Sequence, residues 1–130
     1  MCKLKATAFG SQLLAGITLL IFGTLFISCA PTAVIGGPVD SAKLVDGTYE
    51  GSDRGGPNKA VVEVTIEDNS IVHIKIIQHQ AWRGVKAEET IVDRIIAQQS
   101  TRVDAVSGAT NSSRVIMNAV QRAIEKAYQN

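Results

Sequence analysis

Cysteine is almost missing from this chain. There are 2, Cys2 and Cys29, both within the first 29 of 130 residues. Everything after Cys29 therefore lacks an internal disulfide, a thiol nucleophile and a thiolate metal ligand. Aromatic residues are scarce as well, at 5%. All 3 Phe (Phe9, Phe22, Phe26) precede Cys29, leaving only Trp82, Tyr49 and Tyr128 beyond it. A ligand held mainly by ring stacking would find few platforms there. Nor is there an excess of charge of one sign. The 13 Lys and Arg stand against 12 Asp and Glu, a net charge of +1, and removing Lys3 and Lys5 leaves 11 against 12, or −1. So even a balance gives no electrostatic footprint for a polyanion, and nucleic acid is excluded as a partner. The length allows one modest core, which excludes a multidomain enzyme and a polytopic membrane protein.

The long hydrophobic run is confined to the start. Lys3 and Lys5 are followed by an apolar stretch from Leu13 to Ile27, and no charged residue occurs between Ala6 and Val39. This is the layout of a secretory leader. Leu25-Phe26-Ile27-Ser28-Cys29 resembles a bacterial lipoprotein lipobox, although Phe26 stands where Leu is usual, three places before the Cys. The resemblance implies a signal peptide over 1–28 and lipidation of Cys29. The other reading is an uncleaved anchor helix; the core from Leu13 to Ser28 falls short of the roughly 20 residues a spanning helix needs. Either reading sends the remainder across the membrane and holds it there. Residues 29–45 then read as the lipidated Cys and a flexible tether, since 30–40 carry two of the 3 Pro and a Gly pair.

A domain is expected over 46–130. Asp46-Gly47-Thr48-Tyr49-Glu50-Gly51 reads as a short strand and Ser52–Asn58, with Gly55-Gly56-Pro57, as a turn or loop. Val62, Val64 and Ile66 alternate on one face, Glu67-Asp68-Asn69-Ser70 supplies turn chemistry, and Ile71–Ile77 resumes as strand. That pattern predicts a β-hairpin. Ile91, Val92, Ile95 and Ile96 then recur at helical spacing, as do Val115, Ile116, Ala119, Val120, Ala123, Ile124 and Ala127. The expected class is α+β: a small antiparallel sheet with two or three helices on one side.

The segment richest in chemistry is Asp104-Ala105-Val106-Ser107-Gly108-Ala109-Thr110-Asn111-Ser112-Ser113. It is a run of small residues leading into the last helix. The first amides of a helix have no partner within it, and its dipole favours negative charge there. Gly108 and Ala109 leave the backbone approachable, and a phosphate on or beside Thr110 would meet the N–H groups of Asn111, Ser112 and Ser113. Simple N-capping by Ser, Thr or Asn accounts for the same residues. On these grounds both readings stand.

Asp-x-x-Ser-Gly-Ala-Thr-x-Ser resembles the flavinylation motif of the FMN-binding domain family, which includes the covalent-flavin subunits of the Rnf and Nqr ion pumps and many small exported lipoproteins. Asp46–Gly51, the Gly-rich loop, the hairpin, the Ile-rich helix and Gln99-Ser100-Thr101 before Val103-Asp104 follow in the family's order, so the resemblance covers 46 to about 127. It implies FMN bound covalently through a phosphoester to Thr110 Oγ, made by an FAD-using, Mg-dependent flavin transferase. It assigns Asp104, Ser107, Gly108, Ala109 and Ser112 to the recognition sequence, with Asn111 and Ser113 beside them at the helix start.

One departure bears on the flavin ring. Small members of the family often carry His-x-Glu-Thr-Pro-Gly after the second strand of the hairpin, whereas this chain has His79-Gln80-Ala81-Trp82-Arg83-Gly84. Trp82 is a candidate to stack on the ring, against the plainer reading of a Trp covering the core. His73 and His79, six apart, would share a face of an extended strand, but no third ligand stands at compatible spacing, so no metal site is expected. Tyr49 reads as packing. The function expected is that of a membrane-tethered extracytoplasmic electron carrier of the bacterial envelope, served by a membrane redox donor and an extracytoplasmic acceptor. A non-covalent module for FMN or another phosphorylated ligand, and an envelope lipoprotein without flavin, are the alternatives. No Ser-His-Asp or paired-carboxylate set points to an independent catalyst.

Overall fold

The computed structural model describes residues 31–81 and 84–128. The expectations for the leader, for Cys29 and for Trp82 lie outside the described residues. Three antiparallel strands, β1 (Gly47–Gly55), β2 (Asn58–Glu67) and β3 (Ser70–Gln80), form a sheet in the order β1-β2-β3. Two helices follow, α1 (Val85–Gln98) and α2 (Thr110–Ala127). The α+β expectation is met, with a short 3-10 turn at Ser41–Lys43 as the only further helical piece among the described residues.

β2 is the centre of the sheet, and its alternation decides the buried face. Asn58, Ala60, Val62, Val64 and Ile66 point into the core, while the residues between them point outward. Asp68 and Asn69 both adopt positive φ (50° and 60°), the conformation a tight two-residue hairpin requires. The Asp46 carboxylate holds this turn by accepting both of its amides, each at 3.1 Å.

The Ser52–Asn58 stretch differs from its expectation as a loop. β1 continues to Gly55, where it pairs with Asn58, so only Gly56 and Pro57 form the turn. Gly, Ser, Asp and Arg are poor strand formers, but here tertiary packing overrides propensity. At Gly51 an added Cβ would run into the backbone of α2, at the Ala119 carbonyl and 2.6 Å from the Ala123 nitrogen. Gly51, Ala119 and Ala123 thus let α2 lie directly on the sheet. Its stripe of Val115, Ile116, Ala119, Val120, Ala123 and Ile124 is fully buried, and α1 adds Ile91 and Ile95.

The stretch expected to be a tether is ordered along its described part. Arg114 Nη1 donates to the Thr32 carbonyl (3.2 Å), Asn118 Nδ2 to the Ala33 carbonyl (2.8 Å), and the Ile35 amide to Asn118 Oδ1 (3.1 Å). The Thr101 amide donates to the Gly37 carbonyl (2.9 Å), Thr101 Oγ1 accepts the Gly37 amide (3.0 Å), and the Asp40 amide donates to Tyr128 Oη (2.8 Å). Residues 32–40 therefore form a strap along α2, from its first turns to its last. Pro and Gly suit an extended strap as well as a flexible linker, and the buried polar partners decide between them. Asp40 ends the strap with its carboxylate 3.0 Å from Lys43 Nζ; that hydrogen bond holds its pKa below the ordinary carboxylate range.

Gly51→Ala is expected to destabilise the fold by about 1–3 kcal/mol, the usual range for overpacking against an unyielding neighbour. The lowered urea midpoint of the purified protein checks this; an unchanged midpoint would show that α2 can move aside.

Candidate functional site

α2 begins at Thr110, and its N-cap is Ala109 (φ −132°, ψ 31°), which has no side-chain capping bond. None of the hydroxyls caps the helix, which decides against simple capping. Thr110 is the first helical residue and is exposed, whereas Ser112 and Ser113 are buried. Among the described residues no hydrogen bond engages the amides of Thr110, Asn111 and Ser112; the first to be engaged is Ser113, which donates to the Ala109 carbonyl at 2.9 Å.

Ser113 fastens the loop to the helix. Its Oγ accepts the Val106 amide (3.1 Å) and donates to the Ala109 carbonyl (2.9 Å). The Ala109 amide in turn donates to the Val106 carbonyl (3.0 Å), closing a turn with Ser107 and Gly108 at its corners. Gly108 has φ +79°, which a type II turn needs at that corner, and an added Cβ there would meet nothing within 4 Å. The backbone at Gly108 thus faces open space. Asn111 ties the same turn of helix to the hairpin tip, its Nδ2 donating to the Gly55 carbonyl (3.0 Å).

Two clefts flank Gly108 and Ala109. One, of about 340 Å³, is bounded by Pro57, Asn58, Gly84 and the run from Gly108 to Ser112. The other, of about 480 Å³, is bounded by Val85, Lys86, Val106, Ser107, Gly108 and Ala109. The structure therefore brings together Ser107, Gly108, Ala109, Thr110, Asn111 and Ser112, with Ser113 buried behind them. Asp104 lies on neither cleft; it is exposed, and its carbonyl accepts Arg94 Nη1 at 2.5 Å. Pro57, Asn58, Val85 and Lys86 were not among the candidates. Asn58 alone carried a usable signal, a polar residue on the core-facing side of β2. Gly84 has a steric reason to be glycine, because a Cβ there would strike the Ser112 side chain.

The two histidines lie on opposite faces, contrary to the expectation from their spacing. The register shift between Val61 and Val62, where one extra residue of β3 is inserted, lies between the two histidines, so that His73 stands opposite Thr65 on the outer face and His79 opposite Ala60 on the core face. The His79 side chain is 2% exposed, with Nδ1 2.7 Å from Glu88 Oε1 and Nε2 buried without a partner. Among the described residues no group of three or more His, Cys, Asp and Glu is placed to hold a metal ion.

Comparison with known proteins finds the following similarities. The chain is 33% identical over 91 residues to an uncharacterised protein of Treponema pallidum, covering 65% of this chain and 24% of the relative. It is 34% identical over 111 residues to a urocanate reductase of Eggerthella lenta (79% of this chain, 18% of the reductase). It is 30% identical over 88 residues to an NADH:fumarate oxidoreductase of Klebsiella pneumoniae (66% of this chain, 10% of that enzyme). The aligned region thus spans about a quarter or less of each relative. The family model of the FMN-binding domain matches residues 55–125, from the hairpin tip through the helix that Thr110 opens. This chain belongs to the FMN-binding domain family.

Proposed function

We propose that this protein is a membrane-tethered, extracytoplasmic electron carrier whose FMN is joined through a phosphoester to Thr110 Oγ. The observation that carries the reading is the inequality of the hydroxyls on the first turn of α2. Ser112 and Ser113 are buried, and Ser113 is spent on the loop, while Thr110 is exposed to an incoming flavin transferase. The residues present fit the group. An esterified phosphate at Thr110 keeps a negative charge beside unpartnered amides at a helix N-terminus, where about 0.3–1 kcal/mol of stabilisation is typical. Gly108 leaves the backbone open to it. Lys86 and the exposed Val85 border the adjoining cleft, so a cation and an apolar surface are available to the rest of the nucleotide.

FMN supplies the redox chemistry when bound, and the protein's part is to hold and place it. The relatives named as a urocanate reductase and an NADH:fumarate oxidoreductase support a flavin-related electron-transfer role for the shared region. Their substrates are not carried over, because this chain corresponds to a small part of each. Membrane attachment follows from the leader and lipobox-like sequence at Ser28-Cys29. A membrane redox donor and an extracytoplasmic acceptor are the partners this reading requires.

Co-expression with a flavin transferase is expected to give a band that fluoresces after denaturation, with a mass gain of FMN less water. Thr110→Ala should abolish both and Ser112→Ala should retain both. A wild-type band that is dark, from a native protein that was yellow, would replace this reading by non-covalent binding. Ser113→Ala is expected to lower stability by about 1–3 kcal/mol, by unsatisfying the part-buried Val106 amide, and to reduce flavin incorporation. Urea titration and fluorescence yield check the two effects; full incorporation would show that the loop does not need this fastening. Cys29→Ser should release the protein from the membrane fraction while leaving the fluorescent band intact.

A further inference from the structure

The strap has a direction. It begins at Thr32, which lies against Gly55 and whose carbonyl accepts Arg114 Nη1, and Gly55 in turn accepts Asn111 Nδ2. Thr32 is thus at the end of the domain that carries Thr110, and the strap runs away from that end to Tyr128. Thr32 follows Cys29 by three positions in sequence, a reach of about 11 Å at full extension. An anchor at Cys29, or in a helix ending there, leaves almost no slack. A free tether of the length that composition suggests would have allowed any orientation; a strap pinned along α2 does not.

Charge is distributed along the same axis. Arg54, Lys59, Lys86 and Arg114 lie at the Thr110 end, around the β1–β2 tip and the first turns of both helices. Of the acidic groups near them, Asp53 is paired with Arg122, leaving Glu88, 2.7 Å from His79, and Glu89. At the opposite end stand Asp46, Glu67, Asp68 and Glu125, against Lys43 and Lys126. Anionic lipid at a bilayer surface attracts clustered Lys and Arg within a Debye length.

We propose that the domain sits on an anionic bilayer with its Thr110 end toward the lipid headgroups, held there by the short exit at Thr32 and by these four cations. The proposal rests on the membrane-anchoring part of the function above, and not on the linkage to flavin. A partner embedded in the membrane would meet the Thr110 cleft directly, whereas one in the aqueous space would face the acidic end.

The test uses the full-length protein in phosphatidylcholine vesicles containing phosphatidylglycerol. One fluorophore is placed on either Val85→Cys, at the Thr110 end, or Glu67→Cys, at the other, and quenching by headgroup-nitroxide lipid is measured. Several-fold stronger quenching at 85 than at 67 is expected. Inserting a long Gly-Ser linker between Ala30 and Pro31, together with Arg54→Glu and Lys59→Glu, should erase the difference. Equal quenching at both positions, or stronger quenching at 67, in protein that floats with the vesicles overturns the orientation alone. Protein that fails to float overturns the anchoring, and the orientation with it.

Discussion

The seat of α2 on β1 is the contact on which the rest of the molecule depends. At Gly51 the helix backbone lies where a side chain would otherwise be, with Ala119 and Ala123 facing it. Such close approach leaves little freedom for the helix to slide or roll, because a shift would drive Cβ atoms into main chain. With α2 fixed in this way, its first residue arrives beside the β1–β2 tip, where Asn111 reaches the Gly55 carbonyl. The strap then closes over the other side of the helix through Asn118, Gln121 and Tyr128, with Thr101 Oγ1 2.6 Å from Gln121 Oε1. A helix so enclosed is a rigid support for whatever its N-terminus carries.

Among the described residues, that N-terminus leaves its first amides without a hydrogen-bond partner. A Ser, Thr or Asp at the N-cap would bond to them and contribute about 0.5–2 kcal/mol. Ala109 occupies the N-cap instead, and the hydroxyls follow one to four residues later, where they cannot cap. Ser113 turns back to hold the loop, and Ser112 is enclosed beneath Gly84. Stability available from capping is forgone at the same turn where Gly108 opens the backbone to its surroundings. Local rules broken together, at one place, are the pattern of a functional site.

Much of this architecture was legible in the residues, and the gaps have physical causes. The β2–β3 hairpin and both helices announce themselves because burial on one face imposes a period, and Val62, Val64, Ile66 or Val115, Ala119, Ala123 display it. The end of β1 was invisible because Ser52-Asp53-Arg54-Gly55 becomes strand only through pairing with β2 and contact with α2. Pro and Gly make the strap look like a linker in sequence, and its order depends on Asn118, Thr101 and Tyr128, distant in sequence. The faces of His73 and His79 could not be inferred by counting, since a bulge adds a residue and reverses the side. At the site, the chain alone left capping and anion binding open. Geometry puts no side-chain cap on the helix and separates the exposed Thr110 from the buried Ser112 and Ser113.

The scarcity of aromatic residues acquires a consequence from these clefts. Neither is deep, and one of about 340 Å³ is at the lower end of the volumes that hold small molecules by contact alone. A nucleotide held only there would need stacking and burial to resist dilution in an extracytoplasmic space. The proposed bond to Thr110 would remove that requirement, because dissociation would no longer compete with residence. The cleft is then free to stay shallow, with Val85 exposed beside it. Shallowness is what an electron carrier needs, since a ring sunk in a core would be shielded from donor and acceptor alike. Weak non-covalent binding and ready electron exchange are thus two results of one open surface, and the proposed phosphoester at a rigid helix end would make the first tolerable for the sake of the second.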